Sequence, residues 1–342
     1  EGFSMGIKLD NSRVNEILKE LSKEYDIYAP KRFPKAGRYS DTDMIRYDIV
    51  KTAEEIVFDE KSDMPAKEVY GPITQTLFYF TEDEFRASKA PTSKKILIFM
   101  RPCDINAMEH QNQIYFGDMY YQRMRDKLKI VMIECTKAWD TCFCVSMGSN
   151  KTTEYSLAVR PCEDGWLVDV KDEEFKKVFA GEETEFTPEY VTENELTLTV
   201  PEIKNKEILN KLKAHDMWKE YNSRCISCGA CTIACATCTC FTTTDIAYNE
   251  NSNVGERRRT SASCQIEGFT RMAGGHEFRT TAGDRMRYKV LHKFHDYKAR
   301  FEDYHMCVGC GRCIDRCPEF ISIVATVEKM AKAIEEIEKE VG

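Results

Sequence analysis

The chain has no run of about 18 apolar residues, so no segment of it reads as a membrane span. Nothing at its start has the pattern of a secretory signal peptide. No G-x-G-x-x-G follows a strand and no G-x4-G-K-[ST] occurs, so neither a dinucleotide fold nor a phosphate loop is marked. H-E-x-x-H and G-x-S-x-G are missing too, which removes the ordinary signatures of zinc-dependent and serine hydrolysis. The net charge of −8 argues against general nucleic-acid binding. The chain thus lacks a recognisable place for substrate chemistry.

Cysteine is what it has in excess, with 16 among 342 residues. A disulfide scaffold would be short and secreted. A reducing, cytoplasmic setting is therefore expected, and an anaerobic one if metal clusters lie exposed. Apolar residues make up 42%, enough for a packed core, and the length suggests two domains. The first four residues, Glu1 to Ser4 ahead of Met5, read as foreign to the fold.

Eight of the cysteines fall into two runs. The first is Cys225-x2-Cys228-x2-Cys231-x3-Cys235; the second is Cys307-x2-Cys310-x2-Cys313-x3-Cys317, followed by Pro318. Three thiolates spaced by three residues can wrap three corners of one [4Fe–4S] cubane. In two-cluster ferredoxins the fourth cysteine of such a run ligates the other cluster. The spacing therefore assigns Cys225, Cys228, Cys231 and Cys317 to one cluster, and Cys307, Cys310, Cys313 and Cys235 to a second. A pair of structural zinc sites is the competing reading, but zinc takes thiolates in pairs and would leave some over.

Residues 11–27 read as a helix with Val14, Ile17, Leu18 and Leu21 on one face. From about residue 90 the pattern becomes α/β. Ile96–Met100 and Ile130–Ile133 read as buried strands around a helix from Ile105 to Tyr115. Tyr155–Arg160 and Trp166–Val170 flank Glu163-Asp164-Gly165 as a hairpin, and Leu196–Val200 reads as a further strand. The expected fold is an α/β domain over residues 5–220, then a mainly helical ferredoxin-like domain over 221–342 binding two [4Fe–4S] clusters. A long insertion, 236–306, separates the two runs. The last segment is a helix with a seam of Ile323, Val327, Met330, Ile334, Ile337 and Val341, suited to packing on its own domain or on a partner.

Four more cysteines lie in the α/β part. Cys103 and Cys135 each follow a predicted strand, and Cys142 and Cys144 share a loop with Cys135. Open α/β sheets gather ligands at the carboxyl ends of their strands. If the two strands are neighbours, four sulfurs converge on a third [4Fe–4S] site, with Asp104 competing with Cys135 as a ligand. The alternative is a set of buried cysteines packing as small apolar groups, with Asp104 as the N-cap of the next helix. Cys162 reads as a bystander, while Cys238, Cys240 and Cys264 either line the cluster environment or are inert core thiols. Cys231-x3-Cys235-x2-Cys238 also matches the triad of radical S-adenosylmethionine enzymes, but too little chain follows it for their barrel. Residues 253–300 carry eleven Lys or Arg against five Asp or Glu, including Arg257-Arg258-Arg259, Arg285, Arg287, Lys289 and Lys293. Such cations can raise cluster potentials, dock an acidic partner, or simply be solvated. Gly309 and Gly311 read as loop punctuation around a cluster.

A series of motifs comes in order along the chain: Arg101-Pro102-Cys103-Asp104-Ile105, Cys142-Phe143-Cys144, the first run leading into Cys238-x-Cys240-Phe241, Gly274-Gly275-His276-Glu277-Phe278-Arg279, and the second run with its Pro318. Together they resemble the iron–sulfur electron-transfer subunit of anaerobic sulfite reductase, and also the related β subunit of soluble NAD(P)-linked sulfhydrogenases. One departure is Ala236 after Cys235, where ferredoxin runs usually carry proline. The resemblance implies an electron-transfer subunit of a cytoplasmic complex, itself without a catalytic residue. A flavoprotein subunit holding FAD would oxidise NADH, and a sirohaem-containing catalytic subunit would reduce sulfite to sulfide. The alternative partner is the catalytic subunit of a hydrogenase complex.

Overall fold

A computed structural model describes residues 4–90, 92–301 and 304–341. Its strands are β1 (Ser4–Asp10), β2 (Tyr25–Phe33), β3 (Met44–Ile49), β4 (Thr74–Phe80), β5 (Phe85–Ala87), β6 (Lys95–Met100), β7 (Leu128–Ile133), β8 (Leu157–Cys162), β9 (Gly165–Val170), β10 (Glu182–Phe186), β11 (Phe241–Ala247) and β12 (Gly255–Ser261). Eight of them form one mixed sheet in the order β10-β1-β9-β8-β7-β6-β2-β3. Its centre, β2-β6-β7-β8, is parallel, and β6 and β7 are direct neighbours with Met100 beside Met132. Five of the six residues of β6 are buried, so both faces are covered, as a central parallel strand requires. Ser4 pairs with Phe186 in β1, which corrects its exclusion from the fold; residues 1–3 lie outside the described residues.

The first helix is shorter than its periodicity suggests. It runs Asn11–Leu21, capped by the Asp10 carboxylate, which accepts from Arg13 N at 2.8 Å. Val14, Ile17, Leu18 and Leu21 are buried as expected. The Ser22 hydroxyl donates to Lys19 O at 2.7 Å and satisfies a terminal carbonyl. Tyr25 and Ile27 then change to strand alternation in β2. Leu196–Val200 also departs from expectation. It joins no ladder; instead Leu198 N donates to Ser146 Oγ at 3.0 Å, and its side chain packs among Trp218, Tyr221 and Met286.

A second, four-stranded sheet runs β11-β12-β4-β5. Its hairpin β11–β12 comes from between the two cysteine runs and pairs with β4 from the N-terminal part. The region expected to be mainly helical therefore carries a hairpin as well as the helices Ala282–Leu291, Tyr297–Phe301 and Ile323–Val341. On the last of these Ile323, Val327, Met330, Ile334 and Ile337 are buried, against Ile208 and Leu212 of the helix Lys206–Ala214 among others. Val341 is exposed. The apolar stripe thus packs within its own chain.

The α/β sheet is pinned at one end by Glu174. Its carboxylate accepts from Tyr25 Oη and Lys95 Nζ, both at 2.5 Å, and meets Lys129 Nζ at 3.2 Å, so β2, β6 and β7 share one anion. The Lys95 hydrogen bond, first among several, holds the Glu174 pKa down to about 2. A carboxyl depressed in the folded state stabilises above its unfolded pKa and loses that contribution as pH falls towards the folded one. Unfolding followed from pH 6 to 2 should show the wild type losing stability between the usual carboxylate range and about pH 2, with Glu174→Gln flatter over that window. Identical slopes would refute the clamp.

Candidate iron–sulfur centres

Both cysteine runs fold in the same way. Each has a left-handed glycine after its second cysteine, Gly229 at φ 78° and Gly311 at φ 73°. A short helix follows in each, Ala230–Ile233 and Arg312–Asp315. The left-handed residue turns the chain sharply enough for the flanking thiols to face one side. The fourth cysteines then cross over. One cavity is lined by Cys225, Cys228 and Cys231 together with Cys317, and also by Cys313. A second is lined by Cys307, Cys310 and Cys313 together with Cys235. These are the groupings that the spacing assigned.

A third cavity is lined by Cys103, Cys135, Cys142 and Cys144, with Cys310, Lys61, Arg101, Trp139 and Arg312. Cys103 and Cys135 arrive there because β6 and β7 are adjacent and parallel. Cys142 and Cys144 arrive because their loop lies on the second run, where Phe143 N donates to Gly309 O at 2.8 Å. The approach is close enough to exclude a side chain. A Cβ on Gly309 would stand 2.5 Å from Phe143 O, and one on Gly311 would stand 2.3 Å from Thr141 O. These glycines dock one loop against another, beyond the loop punctuation the sequence suggested.

Asp104 does not line that cavity. Its carboxylate is taken by Arg312, Nη1 at 2.8 Å and Nη2 at 2.7 Å, and the two side chains are 1% and 2% exposed. Arg312 also donates to Ser62 O and Ser62 Oγ, each at 2.9 Å. The helix Pro102–Ile114 has Arg101 at its N-cap. Asp104 is therefore neither a free ligand nor a cap, because a guanidinium over two hundred residues away in sequence claims both of its oxygens.

The donors suit a metal cluster. Burial pushes the Cys307 and Cys144 thiols up to about 12, and raises Cys103, Cys135, Cys225, Cys310 and Cys313 as well. Such thiolates are costly alone and need nearby cations, which iron supplies. Among the described residues no three Cys, His, Asp or Glu side chains converge on a single-ion position. Cys235 moves the other way, lowered first by a hydrogen bond from Cys238 and then by the charges of Lys293, Lys67 and Lys289.

The basic stretch splits into different roles. Arg257 pairs with Asp245, Arg258 with Glu256, and Arg259 with Asp118, all around the second sheet. Arg285 is buried and donates to Ser227 Oγ at 2.8 Å, bracing the first run. Lys289 and Lys293 are each 3% exposed; Lys289 lines both ferredoxin-type cavities and Lys293 lines the second. Their separation of four residues, about one helical turn, was the available signal. Among the other cysteines, Cys162 is exposed at its hairpin, Cys264 is buried, and Cys238 and Cys240 line a separate cavity of about 120 Å³ with Lys67, Tyr115 and Arg259.

Residues 224–321 match the family of 4Fe-4S dicluster domains. Over a longer span the chain is similar to the β subunit of sulfhydrogenase 2 from Pyrococcus furiosus, with 28% identity over 346 residues, covering 96% of this chain and 99% of that subunit. No solved structure matches the chain. The near full-length likeness falls on the sulfhydrogenase side of the sequence resemblance, and the sulfite reductase side gains no support from it.

Replacing Arg312 by Met would leave the Asp104 carboxylate buried and unpaired. Such a break costs about 3–5 kcal/mol. The urea midpoint of anaerobically prepared Arg312→Met should fall accordingly, and adding Asp104→Asn should restore part of the loss. A single variant as stable as wild type would show that the pair does not hold the halves together.

Proposed function

We propose that the chain is the iron–sulfur electron-transfer subunit of a hydrogenase-type complex. Cys225, Cys228, Cys231 and Cys317 would hold one [4Fe–4S] cluster, Cys307, Cys310, Cys313 and Cys235 a second, and Cys103, Cys135, Cys142 and Cys144 a third. The observation that carries the reading is that the three cavities share walls. Cys313 lines the first and second, and Cys310 lines the second and third. Three sites in a row, each one residue from the next, are what a relay needs. Each cubane, when bound, takes up and returns one electron.

The protein's part is positioning and exclusion. Phe143, Val308 and Ile323 line the middle cavity and keep water from it. Backbone N–H groups reach the sulfurs: Gly309 N meets Cys307 Sγ at 3.5 Å, and Ile321 N meets Cys317 Sγ at 3.3 Å. His110, the histidine stacked on Tyr304, is pushed down to about 4 by burial, so it stays neutral and offers no competing charge. Substrate chemistry would lie in partner subunits: one a flavoprotein that exchanges electrons with NAD(P)H, the other a catalytic hydrogenase chain. The relative's name as a sulfhydrogenase subunit supports that partner over a sirohaem one. No helix among the described residues is long and apolar enough to cross a membrane, which is compatible with the proposed cytoplasmic location.

Iron and acid-labile sulfide on anaerobically purified protein should reach about twelve each per chain for three cubanes. Cys142→Ser or Cys144→Ser should remove about four irons while leaving the ferredoxin-type EPR signals in place. About eight irons in wild type, unchanged in either variant, would remove the third site. Copurified nickel supports the hydrogenase partner; a sirohaem absorption band would instead select the sulfite reductase reading, which the ordered motifs also resemble.

A further inference from the structure

Two buried ammonium groups stand in the middle of the relay. Lys289 Nζ lies 3.4 Å from Thr232 Oγ1, next in sequence to Cys231. Lys293 Nζ lies 2.9 Å from Thr237 Oγ1, which is itself 3.4 Å from Cys235 Sγ. Among the described residues neither lysine meets a carboxylate. The groups that face Lys289 include Cys231, Cys238, Cys264 and Cys313; those that face Lys293 include Cys235, Cys238, Cys307 and the like-charged Lys289. The helix Ala282–Leu291, which carries Lys289, passes into a π-turn, His292–Asp296, which carries Lys293. Such turns are rare and concentrate at functional sites.

The charge is unevenly shared. The first cavity has Lys289 on its wall but also Glu319. The second has Lys289 and Lys293, and no carboxylate lines it. Lys67, from the N-terminal part, also faces Cys235. Arg312 adds little, because Asp104 neutralises it.

We infer that Lys289 and Lys293 are the counter-ions that rank the two ferredoxin-type clusters: Lys289 acts on both, Lys293 on the Cys235–Cys307–Cys310–Cys313 site alone. That site is therefore the more easily reduced of the two. The inference rests on the iron–sulfur reading proposed above. One-electron reduction adds one negative charge to a cluster, and a fixed cation nearby favours the reduced form. Water at the exposed Cys228 works in the opposite sense, favouring reduction of the first site. Its response is diffuse, whereas the lysines are fixed charges in a low-dielectric interior, where each counts for more. Backbone hydrogen bonds to sulfur do not separate the sites, since both receive them: Ile321 N to Cys317 at 3.3 Å and Ser227 N to Cys225 at the first, Gly309 N to Cys307 at 3.5 Å and Arg312 N to Cys310 at the second. Electrons entering at the first site would thus collect on the second, beside the Cys310 wall of the third.

The test is an EPR-monitored redox titration of the full chain carrying its clusters. Cys228→Ser identifies the signal of the first site. In wild type the other ferredoxin-type signal should appear at the higher potential. Lys293→Gln should lower that midpoint alone, Lys289→Gln should lower both, and Lys293→Arg should stay near wild type. Iron content is measured on each sample. A wild type whose second site titrates at or below the first overturns the inference, and needs no lysine variant. A fully loaded Lys293→Gln that shifts both signals equally, or neither, overturns it too. Wild type without iron sinks the underlying reading instead, and the iron content tells the two failures apart.

Discussion

One buried ion pair fixes how the two halves of the chain meet. Asp104 stands just past the carboxyl end of β6, and Arg312 lies between the second and third cysteines of the second run. Removing two such ions from water costs several kcal/mol each, so the pair persists only because its geometry is complete. Arg312 makes two bonds to the carboxylate and two more to Ser62. With that contact in place, Gly309 and Gly311 lie against the Thr141–Cys144 loop too closely for any Cβ. Cys310 can then face two cavities at once. The adjacency of these cavities therefore depends on one guanidinium reaching across the fold.

The same region shows how buried charges of opposite sign depend on each other. Burial alone would strip protons from Lys289 and Lys293 and keep them on Cys307 and Cys313. The facing cysteines hold both lysine pKa values above the usual range despite that burial. Iron bound at these thiols would complete the balance by displacing their protons. Cluster loading and folding of the second half would then be coupled, because without clusters the core holds two ammonium groups with no carboxylate partner among the described residues.

What the sequence disclosed was local. The cysteine spacing grouped Cys225, Cys228, Cys231 with Cys317 and Cys307, Cys310, Cys313 with Cys235, and each group lines one cavity, with Cys313 reaching the first as well. The apolar runs of β6 and β7 were plain, and their adjacency gathered Cys103, Cys135, Cys142 and Cys144. What it hid was long-range. No pattern links Asp104 to Arg312, so the carboxylate looked like a ligand. The hairpin β11–β12 sits in a stretch of Thr and Arg with no inward alternation, and it becomes a sheet by pairing with β4. Leu196–Val200 has strand composition, yet Leu198 gains more from the helical core than from a ladder. Lys289 and Lys293 were visible as charge but not as buried charge, since burial depends on what packs over them.

That difference also explains why the partner is less legible than the cofactor. A relay's own residues answer to the cluster: thiols for iron, ammonium groups for its charge, apolar walls against water. None of them touches the final acceptor. A chain that passes electrons towards a hydrogenase and one that passes them towards a sirohaem could share every side chain lining the three cavities. Discrimination between the two complexes has to be written where subunits meet and in how the cluster potentials are ranked. On the relay reading, the second of these would be set inside this chain, where Lys293 lines one cavity and Glu319 another.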